Sequence, residues 1–204
     1  MPHSPSLGPV AGDALIVVDV QNDFLPGGAL AVPRGDEVVS VVGRYLRLFH
    51  ERALPIYATR DWHPPNHVSF REQGGPWPPH CVAGTLGAAF APGLRLPPGT
   101  VVVNKADRPD EDAYSAFQGS DLAGRLRQAG IRRLFIGGLA TDYCVLNTVR
   151  DARNEGFEVV LITDACRAID AKPGDGAAAE LEMRRLGAEA ASFTDLLPSA
   201  AVRA

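Results

Sequence analysis

The feature that most constrains this chain is an alternation: short, uninterrupted apolar runs are separated by stretches with apolar residues at helical spacing. The runs are ALIVVD (14–19), PIYATR (55–60), TVVVNK (100–105), RRLFIGG (132–138) and FEVVLITD (157–164), with AEAASF (188–193) as a sixth. Helical patterns fill 35–52, 120–130, 141–156 and 176–187; in the first of these Val38, Val42, Tyr45, Leu46 and Phe49 recur on one face. Strands that are apolar throughout are buried on both sides, and strands that alternate with helices form parallel sheets. The predicted fold is therefore α/β: an open, doubly wound, mainly parallel sheet with helices on both faces. Ser120 is expected to cap the second helix and Gly130 to stop it. The Pro- and Gly-rich stretch from 61 to about 99 is expected to be one long loop.

The 204 residues suffice for one domain, expected over 13–204, with 1–12 as a disordered tail. A net charge of −4 without a basic run argues against nucleic acid or an anionic membrane surface as partner. No stretch approaches the length of a membrane span, and the first residues lack the charged and apolar segments of a secretory signal. Cys81, Cys144 and Cys166 are odd in number and lack CxxC spacing, so no disulfide framework is expected and a reducing, cytoplasmic setting is.

Ligands of open α/β sheets bind beyond the carboxyl ends of the strands. Asp19, Asp61, Lys105, the segment GLATDYC and Asp164 all fall at those predicted ends. VDVQNDFLPGG after the first strand is not GxGxxG, which disfavours the usual dinucleotide site. Cys144 follows a strand and lies just inside a helix, where free N–H groups and the dipole would lower its pKa and could hold an oxyanion. It is either such a nucleophile or a buried structural thiol. Cys81 and Cys166 are rivals without that helix end. A nucleophilic thiol needs a base and a charge partner. Asp19 and Lys105 are the candidates, against the plainer readings of a turn acid and a surface lysine.

Asp61 and His63 are two apart, so an extended backbone points both to one side. With His80 they form a two-histidine, one-carboxylate set that leaves coordination positions open, unless the histidines merely brace a solvated loop. His67 is either a fourth ligand or such a brace. Phe24, Trp77 and Tyr114 lie in polar loops at the same edge, where they either clamp a flat ring or anchor the loops.

Taken together, ALIVVDVQNDFLPGGALAV, TRDWHPPNHVSF, GGPWPPHCVAGTLGAAF, VVNKADRPDEDAYSAFQG and GLATDYCVLNTVRDA resemble the nicotinamidases (pyrazinamidases), a family of isochorismatase-like cysteine hydrolases. The matches run in order from about residue 14 to 166. The resemblance implies a catalytic set of Asp19, Lys105 and Cys144. It implies one divalent metal ion on Asp61, His63 and His80, zinc first, with iron or manganese as alternatives. It implies a cis peptide bond between Leu139 and Ala140, an oxyanion hole from the N–H groups of Ala140 and Cys144, and a nicotinamide pocket lined by Phe24, Leu30, Trp77 and Tyr114. The implied activity is hydrolysis of nicotinamide to nicotinate and ammonia through a thioester on Cys144, in NAD salvage. The alternatives are a related amidohydrolase of a carbamoyl or ureido substrate and a non-catalytic sensor of a small ring; the presence of both thiol and acid speaks against the sensor. A homo-oligomer is left open.

Overall fold

The computed structural model describes residues 7–197. Its six strands are β1 (Asp13–Val18), β2 (Ile56–Asp61), β3 (Val101–Lys105), β4 (Arg133–Leu139), β5 (Glu158–Arg167) and β6 (Glu189–Ala191). They form one sheet in the order β3-β2-β1-β4-β5-β6, and every neighbouring pair is parallel. The helices are α1 (Glu37–Glu51), α2 (Leu122–Gln128), α3 (Leu146–Asn154) and α4 (Asp175–Arg185). No helix among the described residues is long and apolar enough to cross a membrane.

The two faces follow from the period of two along a strand. In β1, Leu15 and Val17 join the core with Val38, Val42, Tyr45 and Phe49 of α1. Ala14, Ile16 and Val18 face the other way, into a core with Leu122 and Leu126 of α2, Val149 of α3 and Met183 of α4. Each large apolar side chain so buried contributes roughly 1.5–3 kcal/mol before its ordering cost. All six residues of β1 are buried, as its unbroken apolar run requires.

Some boundaries differ from expectation, each for a local reason. β5 does not end at Asp164 but continues to Arg167, past a register shift against β4 between Ile136 and Gly138. Asp164 accepts the Tyr45 hydroxyl at 2.6 Å and the Phe193 N–H at 3.1 Å, so it braces the α1 side of the core instead of joining the ligand edge. The N-cap of α2 is Asp121, not Ser120; the Ser120 hydroxyl donates back to the Ala116 carbonyl at 2.6 Å while receiving the Leu122 N–H at 3.3 Å. Gly130 does take a left-handed conformation just after α2 (φ +70°). The third helical pattern opens with a π-helical turn, Thr141–Val145, before α3. After β6 the expected strand gives way to a 3₁₀ turn, Phe193–Leu196, closed by a capping box of Ser192 and Asp195.

Of the expected N-terminal tail, residues 1–6 lie outside the described residues. Residues 7–12 lie against the body: Leu7 packs at the rim of the α1-side core, and the Pro9 carbonyl accepts the Arg52 guanidinium at 2.5 Å.

Candidate functional site at the carboxyl edge of the sheet

From β1 the strand order runs outward both ways, to β2 and β3 on one side and to β4, β5 and β6 on the other. The crevice between β1 and β4 is thus the topological switch point, where open α/β sheets bind ligands. At this point the backbones approach closely: a Cβ on Gly138 (φ +136°) would lie 2.0 Å from the Val18 carbonyl oxygen. Only glycine fits there. The Leu139–Ala140 peptide bond that follows is cis.

Asp19 comes one residue past β1 in a left-handed conformation (φ +47°), which aspartate tolerates better than most residues. It is fully buried, and its Oδ1 accepts the Thr59 hydroxyl at 2.7 Å. Lys105 and Asp61 are register partners at the ends of β3 and β2. The buried Lys105 Nζ lies 2.9 Å from Asp19 Oδ2 and 3.4 Å from Cys144 Sγ, and it hydrogen-bonds Asp61 Oδ1. The structure therefore brings Asp19, Asp61, Lys105 and Cys144 into one buried cluster. Gln21 holds the backbone there: its amide nitrogen donates to the Asp61 carbonyl and its amide oxygen accepts the Asp61 N–H, each at 2.8 Å.

The charges in this cluster do not balance, because two carboxylates face one ammonium. Burial opposes the charge on Lys105, but Asp19 and Asp61 outweigh it and hold the ammonium well above its usual range. Burial likewise raises the Asp61 carboxyl, yet Lys105 and His63 outweigh it and keep Asp61 ionised. For Asp19 burial wins: with the nearby Asp61 charge it overcomes Lys105 and raises the carboxyl above 3.8. The Cys144 thiol is pushed well above 9.0 by burial, with Lys105 opposing and Asp19 and Asp61 adding. This differs from the expectation of a thiol acidified by its helix end: burial beside two carboxylates pushes the sulfur the other way. Cys144 rests as a thiol and needs a base.

Beside this cluster stand the histidines. His63 Nδ1 is 3.1 Å from the Ala106 carbonyl, and His80 Nδ1 is 2.8 Å from the Pro78 carbonyl. A carbonyl only accepts, so each Nδ1 carries a hydrogen, which leaves the Nε2 of each ring as the nitrogen available to a ligand. His63 Nε2 is buried with no hydrogen-bond partner, and it lies 3.7 Å from Asp61 Oδ2. Burial also favours the neutral form of His80. The donor atoms of Asp61, His63 and His80 lie within 4.8 Å of one another. Imidazoles oriented by carbonyls, an orphaned nitrogen and an excess negative charge together fit a divalent cation. His67 is differently placed: Nδ1 faces the Ser69 hydroxyl at 2.7 Å and Nε2 the Glu111 carbonyl at 3.0 Å. Both nitrogens are committed, so it braces the loop.

The cleft above holds about 400 Å³ of space, part of it open to solvent. Phe24, Leu30, Trp77 and Tyr114 all line it, as do Ala140 and Cys144. The Trp77 indole N–H donates to the Tyr114 hydroxyl at 2.9 Å, and Tyr143 meets the Trp77 ring edge-on at 5.1 Å. Sequence reasoning missed Gln21, Thr59, Ser69, Tyr143 and Ile169. Tyr143 had a signal, since it adjoins Cys144; Ile169 sits in a loop with none. Neither rival thiol lines the cleft. Cys81 is buried with its N–H on Asp23 Oδ2 at 2.7 Å. Cys166 has its Sγ 3.4 Å from the Ile162 carbonyl, and burial pushes it up to about 12.

Residues 13–195 match the model of the isochorismatase domain. The chain is 41% identical over 203 residues to a nicotinamidase of Escherichia coli (strain K12), covering 89% of this chain and 95% of that protein. It superposes on a pyrazinamidase of Pyrococcus horikoshii, solved in complex with zinc, with a TM-score of 0.86 and 52% identity, covering 89% and 99% of the two chains. A protein from L. infantum solved in complex with nicotinate also gives a TM-score of 0.86, at 38% identity and coverage of 93% and 97%.

Proposed function

The chain belongs to the isochorismatase domain family, and from that premise we propose that it is a metal-assisted cysteine amidohydrolase converting nicotinamide to nicotinate and ammonia, a step of NAD salvage. One observation carries the reading: a buried ammonium, Lys105, is shared by Asp19, Asp61 and the Cys144 thiol. Core packing gives no reason to bury these four groups together. The similarity to a nicotinamidase and to a pyrazinamidase solved with zinc supports the substrate class. Three free, buried cysteines suit a reducing cytoplasm.

Asp61, His63 and His80 would hold one divalent ion, zinc first, with iron or manganese as alternatives. When bound, this ion supplies a Lewis acid that anchors the ring nitrogen of the substrate. Phe24, Trp77 and Tyr114, with Leu30, hold the flat ring and exclude water. Asp19 takes the proton from Cys144 Sγ, and the sulfur forms a bond to the carboxamide carbon. The carbonyl π electrons move onto oxygen, where the N–H groups of Ala140 and Cys144 receive the charge. As the tetrahedral species collapses the C–N bond breaks, Asp19 returns its proton to the nitrogen, and ammonia leaves. Asp19 next takes a proton from water, whose oxygen adds to the thioester carbon. The C–S bond breaks, the sulfur regains its proton, and nicotinate departs. Lys105 stays protonated throughout and steadies the charge that moves between Asp19 and Cys144.

The test is ammonia release from nicotinamide by purified protein, beside Cys144→Ala and a chelated sample. Release by the wild type, none by the variant and a lower rate after chelation are the expected results. If metal-loaded wild type leaves nicotinamide untouched, the substrate reading fails and carbamoyl and ureido compounds become the next substrates.

A further inference from the structure

The turn that carries Cys144 also carries Asp142, and this acid does something a first-turn acid is not needed for. Its Oδ1 accepts the Ile169 N–H at 3.0 Å and its Oδ2 accepts the Asp170 N–H at 2.9 Å. Both donors lie in the loop that leaves β5, outside any strand or helix. Asp170, itself left-handed (φ +51°), sends its Oδ1 on to the Gly176 N–H at 2.7 Å, in the first turn of α4. The loop is thus fastened on one side to the Cys144 turn and on the other to α4.

What this fastening holds in place is Ile169, which lines the cleft with Cys144. Ile169 is the one β-branched side chain among the described lining residues. Such a side chain is stiff at χ1, so once its backbone is fixed it cannot swing aside for a larger ligand. The aromatic wall behaves differently: Trp77, Tyr114 and Tyr143 contact one another and suit the faces or edges of a ring.

Building on the reading of function above, we propose that Ile169 is the size-limiting wall of the pocket and Asp142 the positioning residue that holds it. The enzyme is thereby restricted to single-ring aromatic carboxamides without added ring substituents. Asp142 acts on substrate only through Ile169. Its removal therefore weakens selection by size while leaving the thiol, acid and ammonium in place.

The experiment compares kcat/KM for nicotinamide, 5-methylnicotinamide and 6-methylnicotinamide in the wild type, Ile169→Ala, Ile169→Val, Asp142→Ala and Asp142→Asn. One methyl group against a rigid wall discriminates by roughly tenfold or more. Ile169→Ala should narrow the preference for nicotinamide over at least one methylated amide by about that factor, and Ile169→Val should narrow it less. Asp142→Ala should raise KM more than it lowers kcat and narrow the same ratio; Asp142→Asn, which keeps one acceptor, should fall between it and the wild type. Unchanged ratios in both Ile169 variants overturn the size limit. Amide hydrogen exchange at Ile169 and Asp170 tests the clamp without any substrate. Faster exchange in Asp142→Ala supports it, and unchanged exchange overturns it. A wild type inert toward all three amides defeats the reading of function and the size limit with it, while exchange still decides the clamp.

Discussion

β1 carries a buried acid at each end, and the two are treated in opposite ways. Asp13, its first residue, meets Arg133 of β4 in a two-pronged pair: Nε to Oδ1 at 3.0 Å and a terminal nitrogen to Oδ2 at 2.6 Å. The Asp13 carboxylate also accepts the Val10 N–H at 2.7 Å. One charge answers one charge, and the fork geometry satisfies both. Asp19, just past the other end of β1, shares a single ammonium with Asp61 and stands beside a thiol that Lys105 also touches. A nearby imidazole nitrogen has no partner at all. The amino end is finished by the fold alone, whereas the carboxyl end is short of one positive charge and one ligand. That incompleteness separates a structural ion pair from a site that awaits a cation and a substrate.

The largest effect should come from removing the shared ammonium. Lys105→Met leaves two carboxylates buried side by side with nothing to offset them. Breaking a buried pair in this way costs about 3–5 kcal/mol, to be read by urea unfolding. Amidase activity should fall by about 10⁴-fold, as for Cys144→Ala, which removes the nucleophile and should leave the unfolding curve near that of wild type. Similar unfolding curves for Lys105→Met and wild type would break the comparison, since Lys105 would then not be holding the acids together.

The two acids of β1 should separate stability from activity. Asp13→Asn weakens a satisfied fork and should cost about 1.5–3 kcal/mol with little change in kcat. Asp19→Asn should abolish activity at almost no cost in stability. The sign follows from its raised carboxyl pKa: the native state holds this proton more tightly than the unfolded chain, so Asp19 contributes less to stability as pH rises from 3.8 through its folded value. A neutral side chain removes that loss. In the wild type the same shift sets the acid limb of kcat/KM, which should rise with pH as Asp19 ionises, at a pH above 3.8. An acid limb at or below that value would place the base elsewhere.

Supplying the missing charge should stabilise the carboxyl end and leave the amino end unaffected. Zinc at about 100 times its dissociation constant should add roughly 2.7 kcal/mol to unfolding, or a corresponding rise in Tm. His63→Ala should abolish that response, and Asp13→Asn should keep it in full. A zinc response that survives His63→Ala would move the cation away from Asp61, His63 and His80.

How much of this was legible in the chain depends on whether a residue acts where the chain puts it or where the fold takes it. The parallel sheet was legible because continuous apolar runs leave few other ways to bury both strand faces. Asp61 and Lys105 were legible because they terminate strands, and the topology then aligns strand ends on one edge. Asp164 looked the same and was not, because β5 runs three residues further and turns that acid onto Tyr45. The thiol's raised pKa was not legible because burial and the two carboxylates beside it are properties of the assembled core. Gln21 and Asp142 act on backbone 40 and 27 residues away, and no local pattern announces a contact of that kind.

The smallest prediction concerns His67, the residue that sequence left between ligand and brace. With one nitrogen on Ser69 and the other on Glu111, it has no lone pair left for a cation. His67→Phe keeps a ring against Phe70 but loses the ring's hydrogen bonds to the Ser69 hydroxyl and N–H and to the Glu111 carbonyl, and it should cost about 1–3 kcal/mol because it leaves buried polar groups with fewer partners. Zinc stoichiometry, measured on the folded protein, should stay at the wild-type value, in contrast to His63→Ala. The two histidines lie with ring centroids 4.2 Å apart, so position alone cannot distinguish them. The difference lies in what each Nε2 already faces: a carbonyl for His67 and no partner for His63. Loss of zinc in His67→Phe at full folding would mean that the ring surrenders its Glu111 contact to the cation and belongs with the ligands after all.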